Sequence, residues 1–290
     1  MYSRILVPLD GSMLAEGVLP YSRFLASALQ LPVDLIHVSD PETVAPSAHR
    51  TRGADYLNEV AASSLSSLNV KCYVKNGAAA EVILDTASAD AGILIAMATH
   101  GQFGGQRWLL GRVAQKVLQA SKNPLILIRP NEETRPSREV RLTAVIVPLD
   151  GSHLAEQIFP HVVYFATKLG LQVVLIRTYT RPTASYFMGA HVSPPDMADF
   201  GEKMKKEVGD YLHAKVEELR AKGVAKVSCV VTEGRGAEEI IELAQRTSDN
   251  MVAMSTHGRS GIGRWVLGSV TDRVVSYCGD PVLVIRPISR

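Results

Sequence analysis

No apolar run in this chain of 290 residues reaches the roughly 18 residues that a membrane-spanning helix needs, so no interaction with a membrane is expected. The N-terminus enters a strand-like run at Arg4 without a signal-peptide pattern, and the cytoplasm is the default compartment. Charge of one sign is also missing. With 31 basic against 29 acidic residues the formal net charge is +2, too small to draw a nucleic acid as partner. The densest basic run, Lys203-Met204-Lys205-Lys206, is flanked by Glu202 and Glu207 and reads as a solvated helix face. Three cysteines cannot all pair within one chain. Cys72 in VKCYV and Cys229 in VSCVV sit in alternating strand patterns and are expected as buried reduced thiols, with redox or metal chemistry as the alternative. The histidines have no metal-binding spacing. His153 and His161 would share a helix face about 12 Å apart, too far for one ion.

What is present is a duplication. ILVPLDGSMLAEGVLP at Ile5 returns as VIVPLDGSHLAEQIFP at Val145, Asp55-Tyr56-Leu57 returns at Asp210, and THGxxxxxRWxLG returns in both halves. The expected layout is a first domain at 1–130, a linker at 131–140 carrying Pro136 and several charges, and a second domain at 141–290. The register changes after the second strand. There the second copy runs Thr180 to Phe200 through Pro182, Gly189, Pro194 and Pro195, an expected long loop and a candidate lid with Tyr186, Phe187 and Met188 at its tip.

Each half reads as five strands alternating with helices. In the second half the strands are expected near Ala144–Leu149, Leu171–Arg177, Lys226–Val231, Met251–Ser255 and Val282–Arg286. Their unbroken Val/Ile/Leu character implies burial on both faces, which a parallel sheet between two helix layers provides. The fold class is therefore α/β: two repeated doubly wound domains. Ser12 and Ser152 are expected helix caps, and Pro20 and Pro160 are expected to kink the first helices.

In such a sheet, ligands bind beyond the carboxyl ends of the strands. The loops to inspect are Asp150-Gly151 after the first strand and Ser255-Thr256-His257-Gly258-Arg259-Ser260-Gly261-Ile262-Gly263 after the fourth, with Pro148, Leu149 and Met254 at the strand ends as further candidate binding residues. Farther on, Gly268-Ser269-Val270-Thr271-Asp272 opens the last helix, and Ser269 with Asp272 resembles a capping box. A helix start beside glycines is an anion site, with phosphate as its usual guest and a plain structural turn as the alternative. A P-loop is absent, and Gly261-x-Gly263 is followed by Val266, so the dinucleotide fingerprint fails.

VPLDGS, STHG followed after nine residues by Gly268-Ser269, and the closing PVLVIRP together resemble the universal stress protein family in its tandem form. The resemblance implies a five-stranded sheet in order 3-2-1-4-5 in each half. In ATP-binding members it implies a nucleotide held by Gly, two residues, Gly, nine residues, Gly-Ser/Thr. Gly258, Gly268 and Ser269 match, while Ser255 stands where the first glycine belongs. The resemblance puts Asp150 near the adenosine and Thr178 near the adenine edge. ATP, with or without magnesium, is the cofactor so implied, and His257 is a loop-shaping residue before it is a base. Arg259 and Arg264 are candidates to neutralise phosphate. Trp108 and Trp265 share a repeat position suited to packing.

The first half is degenerate. Ala98 replaces the first glycine, Gln102 replaces Arg259, and Arg112 replaces Ser269, where it fills or touches the phosphate space; Asp10, Gly101 and Gly111 remain as weaker site residues. One good site and one weakened site are expected, in a stress-response regulator whose halves form a pseudo-dimer through their last strands, with homodimerisation of the whole chain as a further expectation. A slow ATPase or phosphotransferase and a nucleotide-free scaffold are the rival readings.

Overall fold

The computed structural model describes residues 1–39, 46–100, 110–130, 139–180, 194–258 and 267–288. Its first half runs β1 (Arg4–Pro8), α1 (Met13–Glu16), α2 (Leu19–Leu29), β2 (Val33–Ser39), α3 (Pro46–Ser64), β3 (Val70–Asn76), α4 (Ala79–Ser88), β4 (Ile93–Ala98), α5 (Arg112–Ala120) and β5 (Leu125–Ile128). The second repeats the plan as β6 (Ala144–Pro148), α6 (His153–Glu156), α7 (Phe159–Leu169), β7 (Gln172–Tyr179), α8 (Pro194–Ala221), β8 (Val227–Glu233), α9 (Gly236–Arg246), β9 (Asn250–Ser255), α10 (Ser269–Tyr277) and β10 (Val282–Ile285).

The strands form one sheet in the order β3-β2-β1-β4-β5-β10-β9-β6-β7-β8, which is 3-2-1-4-5 read inward from either edge. Pairing within each half is parallel, and at the centre β5 meets β10 antiparallel, with Ile126 opposite Leu283. The unbroken apolar strands are explained by where their alternate side chains go. Ile5 and Val7 face one core layer and Leu6 the other; Val145 and Val147 face one and Ile146 the other, all fully buried. Burying each such side chain stabilises the fold by about 1.5–3 kcal/mol, which both layers collect from a single strand.

Ser12 and Ser152 cap as expected, each accepting the N–H three residues on, from Ala15 at 3.1 Å and Ala155 at 3.2 Å. The prolines behave differently from expectation. Pro20 and Pro160 do not kink a long helix; they stand in the first turns of α2 and α7, separate helices that start after α1 and α6 end. The missing N–H costs nothing there, because a first-turn N–H has no intrahelical acceptor. The loop expected from Thr180 to Phe200 is shorter than anticipated. From Pro194 the chain is already α8, again with prolines in the first turn, while the proposed lid tip lies outside the described residues.

Candidate functional site

The turn after β6 sets the first wall. Leu149 is buried and its N–H reaches the Ile176 carbonyl at 2.9 Å, so the chain leaves the sheet at Asp150. Asp150 Oδ1 accepts the Ser152 N–H at 2.8 Å, and Gly151 between them takes φ +84°, a conformation that favours glycine. At the end of β9, Ser255 Oγ donates to the His257 carbonyl at 2.8 Å, and Thr256 Oγ1 and His257 Nδ1 are 2.9 Å apart. Gly258 then passes directly beneath Asp150: a Cβ at Gly258 would run into the Asp150 carboxylate.

The start of α10 closes the other side. Gly268 donates to the Thr256 carbonyl at 2.9 Å, and a Cβ on Gly268 would sit 2.9 Å from that oxygen, so glycine permits the approach. Thr271 Oγ1 donates to the Ser255 carbonyl at 3.0 Å, tying the helix to β9. The capping box is not formed. Gly268 is the cap residue, no side chain caps the helix, and Ser269 is already its first residue and exposed. Asp272 makes the first intrahelical bond, to Gly268 at 2.9 Å. The N–H groups of Ser269, Val270 and Thr271 precede it and have no acceptor within the helix.

Between these walls lies a cavity of about 610 Å³. Of the sixteen second-half residues expected, twelve line it: Pro148, Leu149, Asp150 and Thr178, then Met254, Ser255, His257 and Gly258, then Gly268, Ser269, Val270 and Thr271. Gly151 and Thr256 shape the turns without lining the wall, and Arg259 and Gly261, with Arg264 and Trp265, lie outside the described residues. Sequence reasoning missed the rest of the lining. Gly234, Arg235 and Gly236 form the turn into α9, where a Cβ on Gly236 would come 3.6 Å from Thr178 Oγ1. Two glycines opening a helix after β8 were a readable signal. Met204 and Val208, four apart on α8, and Ile176, Ile240 and Ala155 supply apolar wall, with Arg177, Tyr179 and Thr180 at the end of β7.

Behind the Asp150 turn sits a charged cluster. Tyr211 donates to Glu156 Oε1 at 2.8 Å, and Lys215 pairs with Glu156 Oε2 at 2.9 Å and with Glu218 at 3.0 Å. The Arg177 guanidinium lies 4.7 Å from the Tyr211 ring centroid. Burial and then the Glu156 carboxylate push the Tyr211 phenol well above its usual range, so it stays a donor. Burial works against the Lys215 ammonium, but Glu156 and Glu218 outweigh it and hold its pKa above the ordinary value. Among the described residues no three His, Cys, Asp or Glu side chains gather as a metal site.

The first half keeps the backbone of this site. Gly111 donates to the Thr99 carbonyl at 2.8 Å, Thr99 Oγ1 and His100 Nδ1 are 2.9 Å apart, and Asp10 Oδ1 accepts the Ser12 N–H at 3.0 Å. Arg112, the first residue of α5, is exposed, as is Asp10. Gly101, Gln102 and Trp108 lie outside the described residues.

The model of the universal stress protein family matches residues 1–129 and again 142–286. A universal stress protein of Mycolicibacterium smegmatis is 23% identical over 307 positions, covering 98% of this chain and 97% of its own length. One from Methanocaldococcus jannaschii is 28% identical over 142 residues, 49% of this chain and 81% of that protein. Among solved structures, a universal stress protein from Archaeoglobus fulgidus superposes with a TM-score of 0.70 at 18% identity, covering 98% of both chains, a likeness of fold alone. With the family's pattern matched twice along its length, the chain belongs to the universal stress protein family.

Proposed function

We propose that the second half binds an adenine nucleotide, ATP foremost, and that the chain works as a nucleotide-dependent regulatory module in the stress response. The observation that carries this reading is the start of α10. Three backbone N–H groups without helical acceptors border a cavity of about 610 Å³, a volume and polarity suited to a nucleotide with its phosphates at the helix dipole. Asp150 faces the cavity as an acceptor for ribose hydroxyls, and Thr178 at the end of β7 stands at the base end. Where magnesium accompanies ATP, it would arrive on the phosphates. The halves act together as a pseudo-dimer, a reading supported by the β5–β10 pairing. Cys72 and Cys229, half-buried where buried thiols were expected, and the buried Cys278 are all free thiols, which favours a reducing compartment such as the cytoplasm.

The test is calorimetry of the full chain with ATP, together with mass spectrometry of whatever small molecule the gently purified protein releases. Close to one ATP per chain is expected. No nucleotide released and no heat on titration would favour a scaffold that binds none. Steady ADP release lost with the site would favour a slow ATPase.

A further inference from the structure

The same four-part chain of contacts underlies both halves. In the first, the Tyr56 hydroxyl donates to Glu16 at 3.0 Å, the His37 ring meets the Tyr56 ring edge-on at 6.1 Å, and His37 Nδ1 lies 2.9 Å from the Leu9 carbonyl, the backbone just before Asp10. In the second, Tyr211 donates to Glu156 at 2.8 Å and Arg177 stacks on Tyr211 at 4.7 Å. Arg177 then reaches the backbone just after Asp150. A Cβ on Gly151 would come within 2.7, 2.8 and 2.9 Å of Nη1, Cζ and Nη2. Three nearly equal distances mean that the guanidinium lies flat over the open side of Gly151.

We propose that Arg177, held by Tyr211 and Glu156, is a positioning residue that fixes the turn carrying Asp150 and so sets affinity for the nucleoside end of the ligand. The proposal rests on the nucleotide reading of the cavity. Gly151 at φ +84° is the hinge of that turn, and the three atoms nearest to a Cβ built there all belong to the Arg177 guanidinium. The relay also reaches the cavity by a second route. Met204 and Val208 line the wall on α8, and Tyr211 follows three residues later on the same helix. A ligand that presses on this wall therefore acts on the platform under Arg177. The α10 start is built from other contacts, through Thr271, Ser255 and Thr256, and does not share the relay.

The experiment is calorimetry of the full chain with ATP, adenosine and inorganic tripolyphosphate, for the parent, Arg177→Ala, Arg177→His and Tyr211→Phe, with amide hydrogen exchange at Gly151 and Ser152 alongside. Arg177→Ala should weaken ATP and adenosine by about tenfold each while leaving tripolyphosphate within about twofold, since only the nucleoside end depends on the turn. Arg177→His, which copies the first half, should restore most of the loss, and Tyr211→Phe should give a smaller loss with the same pattern. Exchange at both amides should quicken in Arg177→Ala. Equal weakening of adenosine and tripolyphosphate, or unchanged exchange at the two amides, would overturn the positioning role. A parent that binds neither ATP nor adenosine, yet shows the exchange change, would instead defeat the nucleotide reading and leave the relay standing.

Discussion

The loops at the ends of β4 and β9 are nearly superposable in their bonding and unlike in their side chains. Thr99 and His100 meet at 2.9 Å, as do Thr256 and His257; Gly111 reaches the Thr99 carbonyl at 2.8 Å, and Gly268 reaches the Thr256 carbonyl at 2.9 Å. Yet Ala98 stands where Ser255 bonds the His257 carbonyl, and exposed Arg112 stands where Ser269 opens α10. The backbone of the site is thus part of how the domain folds, since it anchors the last helix to the sheet. What separates the halves is a few side chains laid over that backbone, and those differ without loss of the fold.

The change that should separate the halves most is Gly258→Ala. Its Cβ would enter the Asp150 carboxylate and push it off the cavity wall, while the backbone there has no left-handed strain to aggravate. ATP affinity should fall at least about a hundredfold, or about 2.7 kcal/mol, with little change in melting temperature. The matched Gly101→Ala should leave ATP binding as it is. Calorimetry and thermal melts on both variants check this, and an equal loss from Gly101→Ala would mean that the first half carries the nucleotide.

Ser269→Arg is the next sharpest, because it writes the first half's residue into the second. It removes a hydroxyl donor at the helix start and crowds the cavity lined by Ser269. A lost hydrogen bond to a charged group costs about 1.5–3 kcal/mol, or roughly tenfold to a hundredfold in affinity. The reverse change, Arg112→Ser, should restore far less, since Ala98 and Gln102 remain. Undiminished ATP binding in Ser269→Arg would show that the α10 start does not hold the phosphates.

The architecture was legible because its signals are local and repeated. Runs such as LILI and VLVI, buried at every position, announce a sheet covered on both faces, and VPLDGS marks the same turn twice. Most of the cavity wall was legible too, since it follows from which loops end the strands. Apart from Gly234 and Gly236, whose local signal was there to read, the misses are tertiary or concern where a helix begins. Nothing local says that Pro160 begins a new helix instead of bending an old one. The Ser269/Asp272 pattern suits a cap, yet the chain starts the helix one residue early because Gly268 is pulled against Thr256. Arg177 and Tyr211 are 34 residues apart, and only the packing of α8 on β7 brings them together.

A third comparison concerns the seam between the halves. Tyr2 and His161 Nδ1 are 2.7 Å apart, with Tyr164 and Phe165 packed around Tyr2, whereas the repeat places Tyr21 and Leu142 at the corresponding positions. Burial pushes the His161 imidazole from 6.5 down to about 4. The unfolded imidazole therefore takes up a proton between those values while the folded one stays neutral. Its contribution is fully present above pH 6.5 and is lost as pH falls toward 4, by roughly 3 kcal/mol. Urea unfolding at pH 7 and pH 4.5 should show this loss in the parent and a smaller one in His161→Phe. The same slope in both would place the acid sensitivity elsewhere.

The smallest effect tests the two turns themselves. Gly11 and Gly151 adopt φ +85° and +84°, so alanine at either position carries the same backbone strain, on the order of 1 kcal/mol. Their surroundings differ. A Cβ on Gly11 meets nothing within 4 Å, whereas one on Gly151 would lie 2.7 Å from the Arg177 guanidinium. That guanidinium is the end of a flexible side chain and can move, but moving it gives up its stacking on Tyr211, worth about 0.5–1 kcal/mol. Gly151→Ala should therefore destabilise the chain by about that much more than Gly11→Ala. In an Arg177→Ala background the excess should vanish, because the atom that the new methyl would displace is gone. Denaturant unfolding of the four chains gives the coupling directly. An excess that persists without Arg177 would mean that the guanidinium is not what holds the Asp150 turn.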